Sequence, residues 1–331
     1  MTTVFVSHTR SALSNYFGPG ALSALEALGP VRLNPDETQW TTASLIDAAQ
    51  GCQVIIADRS TAGPAELFRN LPDLVAFARC AVDIRNIDVA AASREGILVT
   101  QASAGFMASV SEWIIGVMID LSRHIATASA AYHAGAVPEP VMGRELRGAT
   151  LGVIGYGQIA RYFCKLGLAF GMRVVVSDPH ARVDDPALDP VGLSDLLARA
   201  DYVVCLAVAN DETENLMNAS AFAAMKQTAC FINASRGNLV DETALAEALD
   251  AGMIAGCAMD VGRAPDQMPS PVLARHPRVI ATPHIGGLTP PAIEHQALET
   301  VAQVRQILQG KIPSGAVNAA QATRLLALGS D

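Results

Sequence analysis

The chain has 331 residues, more than one domain usually takes, so we expect two domains. Half of the residues are hydrophobic, 17% are charged and the mean hydropathy is +0.29, a composition that excludes a disordered chain. The formal net charge is −9 and no run of Lys or Arg stands out, so we expect no nucleic-acid partner.

The apolar segments are too short for a membrane span, despite the positive mean hydropathy. A spanning helix needs about 18 apolar residues or more. The longest candidate, Trp113–Leu121, is shorter and contains Asp120. The first residues, MTTVFVSH, lack the basic and apolar regions of a signal peptide. We therefore expect a cytoplasmic protein with no membrane partner.

The cysteines show no metal-binding or redox spacing. They are Cys52, Cys80, Cys164, Cys205, Cys230 and Cys257. No pair has the C-x-x-C spacing of zinc sites and redox motifs, so no metal site is expected. Cys205, Cys230 and Cys257 lie within apolar runs and are interpreted as small core residues.

Short apolar runs alternate with helical patterns along most of the chain. The runs are Val4–Ser7, Val54–Ala57, Leu74–Phe77, Ile97–Val99, Leu151–Ile154, Val174–Val176, Tyr202–Val208, Cys230–Asn233, Ile254–Met259 and Val279–Ala281. Apolar runs separated by helices are typical of buried parallel strands with helices on both faces of the sheet. The predicted class is a doubly wound α/β fold.

Two longer helices interrupt this rhythm. Ser109 and Glu112 have the S-x-x-E spacing of a capping box, which predicts a helix start at Ser109. A second helix is expected from about Pro291 to Gln309, with Gly310 as its terminating residue. The polar, Pro-containing stretch 136–147 is expected to be a surface loop or arm.

The glycine-rich segment LGVIGYGQIA, residues 151–160, has the pattern of a dinucleotide-binding turn. Gly155 allows a tight turn after a strand, and Gly157 lets the backbone approach a pyrophosphate. The pyrophosphate would bind at the N-terminus of the following helix, near Gln158 and Ile159. Because a strand, a helix and a later acidic residue surround the motif, we favour a cofactor site over a purely structural turn.

Asp178 ends the next predicted strand, 21 residues after Gly157. A carboxylate at this place accepts hydrogen bonds from the adenosine ribose and repels a 2′-phosphate. We therefore predict NAD rather than NADP as the cofactor. Arg182, four residues further on, is the one feature that speaks for a 2′-phosphate.

Charged side chains follow three later strands. Arg236 follows CFINAS, Asp260 follows AGCAM and His284 follows VIATP. Ligands of such sheets bind at the carboxyl ends of the strands. An arginine can bind a substrate carboxylate with two hydrogen bonds, and a neutral histidine can accept a hydroxyl proton as hydride leaves. This chemistry suits a hydroxy-acid dehydrogenase, whereas a surface ion pair and a core histidine are the structural alternatives.

The sequence resembles the D-2-hydroxyacid dehydrogenase family, which includes D-3-phosphoglycerate dehydrogenase and formate dehydrogenase. The resemblance extends from about Val82 to Gly287. Its matching segments are Asn86-Ile87-Asp88, the helix at Glu112, the turn at Gly155 and Gly157, Asn233–Gly237, Val240–Glu242, Asp260-Val261 and Thr282–Gly287.

The resemblance implies a role for each of these positions. Arg236 would bind the substrate carboxylate and polarise the carbonyl, and His284 would be the acid/base. Asp260 would contact the nicotinamide carboxamide. Three smaller residues would contact the cofactor, namely Val208, Ala234 and Gly287.

The resemblance also implies the domain organisation. A Rossmann cofactor domain, residues 106–287, would be inserted into a flavodoxin-like substrate domain made of residues 1–105 and 288–331. The active site would lie in the cleft between them. Members of the family are usually homodimers built through the cofactor domain.

One departure from the family concerns the partner of the catalytic histidine. The family carries a Glu five residues after the Asp-Val aspartate, but this chain has Pro265 there and Asp266 next to it. Asp266 is one candidate for the carboxylate that pairs with His284. The alternative is an exposed loop aspartate, with His284 unpaired or paired elsewhere.

A second departure lies in the predicted substrate loop. The family has a glycine-rich turn whose N–H groups bind the substrate carboxylate, whereas this chain reads Ala81-Val82-Asp83-Ile84-Arg85. Arg85 could bind a second anionic group of the substrate, or it could be a solvated loop residue. The sequence predicts an NAD-dependent oxidoreductase for a small (R)-2-hydroxy acid or 2-oxo acid. The alternatives are an NAD(H)-binding regulatory scaffold and a formate-type dehydrogenase.

Overall fold

A computed structural model describes residues 3–328, without the side chains of Asp266 and of residues 326–328. The chain divides into two compact units. The first unit comprises the residues up to Gly105 and those from Pro290 onward, and the second comprises Phe106–Thr289. Each unit is built around its own parallel sheet.

The strands, in chain order, are β1 (Val4–Val6), β2 (Val31–Leu33), β3 (Val54–Ala57), β4 (Ala76–Arg79), β5 (Leu98–Gln101), β6 (Thr150–Ile154), β7 (Arg173–Ser177), β8 (Asp189–Pro190), β9 (Tyr202–Cys205), β10 (Cys230–Asn233), β11 (Gly256–Met259) and β12 (Val279–Ala281).

The α-helices are α1 (Arg10–Tyr16), α2 (Gly18–Glu26), α3 (Thr42–Ala49), α4 (Ala65–Arg69), α5 (Val89–Arg94), α6 (Met107–Arg123), α7 (Ile125–His133), α8 (Gln158–Ala169), α9 (Leu193–Arg199), α10 (Ala219–Ala223), α11 (Glu242–Asp250), α12 (Pro271–Ala274), α13 (Pro290–Leu308) and α14 (Thr323–Leu328). Short 3₁₀ turns lie at Asp211–Thr213, Gly237–Leu239, Pro265–Gln267 and Ala319–Gln321.

The sheet of the first unit has the strand order β2-β1-β3-β4-β5 with parallel pairing throughout. This is the flavodoxin-like order. Strands β1, β3 and β4 are buried along their whole length, because helices cover both faces of the sheet. Leu25 of α2 and Val304 of α13 pack on one face, and Leu45 of α3 and Phe68 of α4 pack on the other.

The sheet of the second unit has the order β12-β11-β10-β9-β6-β7-β8, again with parallel pairing. The strand order reverses between β6 and β9, as in a Rossmann fold, and ligands of such sheets bind at this switch point. Ile114 of α6 and Phe163 of α8 cover one face, whereas Phe222 of α10 and Leu245 of α11 cover the other. The predicted fold class is therefore confirmed.

The capping box predicted at Ser109 and Glu112 is wrong. Helix α6 begins at Met107, and its N-cap residue Phe106 makes no side-chain cap. Ser109 lies inside the first turn, where its hydroxyl contacts Thr289 Oγ1 at 2.6 Å. A tertiary partner has thus replaced the local hydrogen bond that the motif predicts.

The predicted end of the last long helix is confirmed at Gly310, which has a φ of 68°. The N–H groups of Gly310 and Lys311 donate to the carbonyl oxygens of Ile307 and Gln306, which closes the end of α13. All six cysteines are free and buried, as expected of core residues. Among the described helices, none is both long and apolar enough to cross a membrane.

A histidine lies buried directly after β1. His8 is 2% exposed and makes an edge contact with the ring of Phe17, with 5.5 Å between ring centroids. Within the described part of the chain, neither ring nitrogen of His8 has a hydrogen-bond partner. Burial lowers the pKa of His8 to about 4, although the charge of Asp58 acts in the opposite direction.

Because the imidazole stays neutral in the folded state, only the unfolded chain takes up this proton as the pH falls below about 6.5. We expect His8 to cost about 3 kcal/mol of the free energy of unfolding between pH 7 and pH 4. Urea unfolding should show this component in the parent and in His180→Phe, an exposed control. His8→Phe should lack it, and an equal pH dependence in both variants would contradict the assignment.

Candidate active site

The glycine-rich turn joins β6 to α8 at the switch point of the second sheet. Gly155 has a φ of 89°, and an added Cβ would lie 2.7 Å from the backbone nitrogen of Ala207, so only glycine fits. Gly157 is the N-cap of α8 and has open space where a side chain would be. The N–H groups of the first turn, at Gln158 and Ile159, can therefore be approached by a pyrophosphate.

Asp178 lies next to this turn, at the end of β7. Its Oδ2 accepts a hydrogen bond from the N–H of Tyr156 at 2.7 Å, and its Oδ1 accepts from the N–H groups of His180 and Ala181 at 2.8 and 2.9 Å. Partial burial raises the pKa of Asp178, but these three hydrogen bonds outweigh it and the net pKa is lowered. A carboxylate has about four acceptor positions, so one remains for a ribose hydroxyl.

The turn that carries Arg236 begins at the end of β10 and is built around a buried amide. Asn233 is fully buried, its Nδ2 donates to the carbonyl of Arg236 at 2.9 Å, and its Oδ1 accepts from the N–H of Ser235. Ser235 Oγ donates to the carbonyl of Ala207 at 2.6 Å. Arg236 itself is half-buried, with Nη1 donating to the carbonyl of Ser235 at 2.8 Å. Asn233 therefore fixes the backbone from which the guanidinium extends.

The turn that carries His284 is held by Asp260, which is 4% exposed at the end of β11. Oδ1 of Asp260 accepts from Thr282 Oγ1 at 2.6 Å and from the N–H of Ile285 at 2.8 Å, and Oδ2 accepts from the N–H of Gly286 at 2.7 Å. His284 lies between these donors with a left-handed φ of 56°. The buried carboxylate of Asp260 thus stabilises this uncommon backbone conformation, because it accepts hydrogen bonds from residues before and after the histidine.

Asp260 also links the two turns. Its N–H donates to the carbonyl of Asn233 at 3.2 Å, while its carboxylate holds the His284 turn. The turns of Arg236 and His284 are thereby joined through one residue on the strand between them. Sequence reasoning assigned Asp260 to the cofactor alone and missed Asn233 and Thr282 as positioning residues, although both stand in the matching segments.

The remaining predicted cofactor residues line the same edge of the second unit. Val208 follows β9 and is 75% exposed, and its carbonyl accepts from Thr213 Oγ1. Ala234 is half-buried directly after β10. An added Cβ at Gly287 would lie 3.3 Å from Cβ of Phe106.

Asp266 lies in the 3₁₀ turn Pro265–Gln267, and its side chain is outside the described residues. Its predicted pairing with His284 therefore stays a prediction. The loop itself is closed by hydrogen bonds from the N–H of Gly262 to the carbonyl of Gln267 and from the N–H of Ala264 to the carbonyl of Met268.

The predicted substrate loop follows β4 in the first unit. Ala81 accepts a backbone hydrogen bond from Ala102, and Val82 is half-buried. The guanidinium of Arg85 bonds to Asp83 side-on, with Nε–Oδ1 at 3.0 Å and Nη2–Oδ2 at 2.6 Å. The pair uses Nε and one N–H of Nη2, so the remaining donors of the exposed guanidinium can bind a second anionic group.

Residues 115–286 match the family described as D-isomer specific 2-hydroxyacid dehydrogenase, NAD binding domain. The (S)-sulfolactate dehydrogenase of Chromohalobacter salexigens is 35% identical over 271 residues, which cover 80% of this chain and 88% of that protein. The D-3-phosphoglycerate dehydrogenase of Methanocaldococcus jannaschii is 30% identical over 305 residues, 90% of this chain. The chain spans 57% of that second, longer relative.

Among solved structures, the TT0316 protein from Thermus thermophilus is similar with a TM-score of 0.86 and 28% identity. The similarity covers 96% of this chain and all of that one. The matched range, residues 115–286, includes Asp260 and the turn that carries His284.

The position of Asp178 leads to a prediction about cofactor choice. Asp178→Asn removes the charge that would repel a 2′-phosphate but keeps an acceptor for the backbone N–H groups. We expect the ratio of the Kd for NADPH to the Kd for NADH to fall about tenfold, as measured by nucleotide fluorescence titration. Asp195→Ala, which removes a surface ion-pair partner of Arg199, is the control and should keep the parental ratio. A parental ratio in Asp178→Asn would refute the role of Asp178.

Proposed function

Because the chain belongs to the D-isomer specific 2-hydroxyacid dehydrogenase family, we propose that it catalyses NAD-dependent interconversion of a small (R)-2-hydroxy acid and its 2-oxo acid. The observation that carries the proposal is the link through Asp260, which joins the Arg236 turn to the His284 turn. A carboxylate-binding cation and an acid/base on adjoining turns are the two groups that this reaction needs.

The cofactor NAD supplies the hydride acceptor of the oxidation. Gln158 and Ile159 would hold its pyrophosphate with backbone N–H groups, and Asp178 would accept a hydrogen bond from the adenosine ribose. The open space at Gly157 and the ionised state of Asp178 fit these roles. Val208, Ala234 and Gly287 would complete the binding surface through packing and backbone contacts.

Arg236 would bind the substrate carboxylate through two hydrogen bonds and so orient the carbon that loses or gains hydride. His284 would take the proton of the 2-hydroxyl group during oxidation and return it to the carbonyl oxygen during reduction. Asp260 would hold the imidazole in place through the three donors of its turn. Asp266 remains our candidate for the carboxylate that stabilises protonated His284.

The dehydrogenase names of the relatives do not favour the two alternatives, a regulatory scaffold and a formate-type enzyme. The names sulfolactate and phosphoglycerate denote 2-hydroxy acids with a second anionic group. The screen of substrates should therefore include a sulfonated and a phosphorylated 2-oxo acid beside simpler ones.

We expect NADH oxidation with at least one of glyoxylate, hydroxypyruvate, pyruvate, a branched 2-oxo acid, a dicarboxylate, sulfopyruvate and 3-phosphohydroxypyruvate. For the best substrate, His284→Ala should lower kcat about 10²–10⁴-fold, because proton transfer loses its acid. His276→Ala is the matched control, since His276 lies before the amino end of β12, whereas His284 lies after its carboxyl end. Turnover by His284→Ala at the parental rate would overturn the assignment, and reduction of NAD by formate would favour the formate-type alternative.

We further propose that the protein acts as a homodimer in the cytoplasm. Helix α7 has no buried residue, and it leads into an exposed stretch up to Met142. Apolar side chains here are widely exposed, namely Ile125, Tyr132, Val137, Val141 and Met142. A second copy of the chain is the occupant that suits this apolar surface. Six unpaired thiols fit a reducing compartment.

The dimer proposal is tested by light scattering after size-exclusion chromatography. The parent should have twice the chain mass of 34.6 kDa. Tyr132→Glu combined with Val137→Glu should shift the protein to monomer, because two charges would be buried in the interface. Val272→Glu, at a residue that is 78% exposed on α12, should remain a dimer. A monomeric parent, or a dimeric double variant, would contradict this interface.

A further inference from the structure

Arg263, in the loop after β11, makes several hydrogen bonds that no part of the proposed chemistry uses. Its Nε donates to the carbonyl of Val240 at 3.0 Å, and its Nη2 donates to the carbonyl of Asn238 at 3.0 Å. Asn238 is the middle residue of the 3₁₀ turn Gly237–Leu239, and Val240 directly follows this turn, which begins after Arg236. A cation placed at the carbonyl end of a helical turn is favourable because those oxygens carry partial negative charge.

The same guanidinium reaches a third loop, which follows β9. Nη2 of Arg263 lies 2.8 Å from Glu214 Oε1 and 2.6 Å from Asn215 Oδ1. Glu214 Oε2 in turn accepts from Asn238 Nδ2 at 3.0 Å. The hydrogen bonds from Arg263 and Asn238 lower the pKa of Glu214, so its carboxylate stays charged at neutral pH. The loops after three adjacent strands, β9, β10 and β11, therefore meet at one side chain.

Backbone packing adds to this junction. An added Cβ at Gly237 would overlap the backbone of Gly262, so the turn after Arg236 and the loop before Arg263 touch without any side chain between them. The N–H of Arg263 donates to Glu242 Oε1 at 2.9 Å, which fixes the loop to the first turn of α11. A displacement of the loop after β11 would thus be passed directly to the turn after Arg236.

The backbone around Arg236 is consequently held on both sides. Asn233 Nδ2 binds the carbonyl of Arg236, and Arg263 binds the carbonyls two and four residues later. Two-point binding of a carboxylate by a guanidinium tolerates only small displacements. We propose that Arg263 is a positioning residue that fixes Arg236 for binding of the substrate carboxylate. The inference rests on the proposed function of Arg236.

The exposed ion pair between Arg263 and Glu214 is not what holds Arg236 in position. The side chains of Arg263 and Glu214 are 37% and 43% exposed, and such pairs contribute little to stability. The shape of the guanidinium contributes more to this positioning than the ion pair does, because its donors reach the carbonyl of Val240 and the loop of Glu214 at the same time. A lysine has one point of charge on a flexible chain and cannot make both contacts.

The test compares Arg263→Ala and Arg263→Lys with the parent and with Arg199→Ala. Arg199 is a matched control in the same unit, since it makes two exposed ion pairs with Asp189 and Asp195. The measurements are kcat and KM for the best 2-oxo acid, the Kd of NADH, and the Kd of oxamate for the protein loaded with NADH. Oxamate reports carboxylate binding without turnover.

We expect Arg263→Ala to raise the KM of the oxo acid and the Kd of oxamate at least tenfold, with the Kd of NADH within twofold of the parent. For Arg263→Lys, both constants should lie between those of the parent and those of Arg263→Ala. Arg199→Ala should have the parental constants. If Arg263→Ala does not fold, Arg263→Lys carries the test, with a rise of at least threefold in the Kd of oxamate.

A parental KM and oxamate Kd in the folded Arg263 variants would overturn the inference and leave the proposed function intact, even if their Tm is lower. An equal loss of NADH and oxamate binding would also overturn it, since that pattern marks a merely structural residue. A parent that neither turns over any 2-oxo acid nor binds oxamate would overturn the proposed function, and the role of Arg263 with it.

Discussion

The carboxylate of Asp260 is the constraint on which the candidate active site depends. It is almost completely buried, and a buried carboxylate is costly unless donors surround it. The donors come from one short segment, Thr282 to Gly286, and this requirement fixes the path of the chain through His284. The left-handed backbone at His284 is consistent with that path, because the Thr282 hydroxyl before it and the N–H groups of Ile285 and Gly286 after it donate to the same carboxylate.

Parallel pairing explains why residues far apart in the sequence lie at the same end of the sheet. The carboxyl ends of β10, β11 and β12 lie side by side, so the turns that follow them are neighbours although they are far apart in sequence. The same edge contains the glycine-rich turn after β6, two strands away from β10. A net charge of −9 is compatible with an anionic cofactor at this edge, because backbone N–H groups at the N-terminus of α8 supply the attraction.

The sequence allowed accurate prediction where the local pattern decides the structure. The bounds of β3, β10 and β12 were predicted to the residue. The apolar run of β3 is buried and flanked by the polar residues Gln53 and Asp58. β2 and β8 were missed, because they are edge strands of three and two residues whose side chains are partly exposed. The start of α6 was misplaced because Ser109 bonds to Thr289, 180 residues away, a partner that no local motif contains.

The junction at Arg263 lay beyond sequence reasoning for a related reason. Its acceptors are two carbonyl oxygens and two side chains from separate loops, and carbonyl oxygens leave no mark in a sequence. Arg236 and His284 could be proposed from the sequence because the proposed reaction demands their side-chain types. A positioning residue is chosen by the geometry of its neighbours, so its identity follows only from the folded chain.

Pro265 shows how this geometry accounts for a departure from the family pattern. The residue opens the 3₁₀ turn Pro265–Gln267, and the first position of a helical turn suits proline because no N–H donor is needed there. Ala264 before it has an extended ψ of 165°, the conformation that proline imposes on its predecessor. Arg263 anchors one end of this loop, and the hydrogen bond from Ala264 to Met268 closes the other. Proline at this position therefore fits the observed 3₁₀ turn, and Asp266, our candidate partner of His284, lies in the middle of that turn.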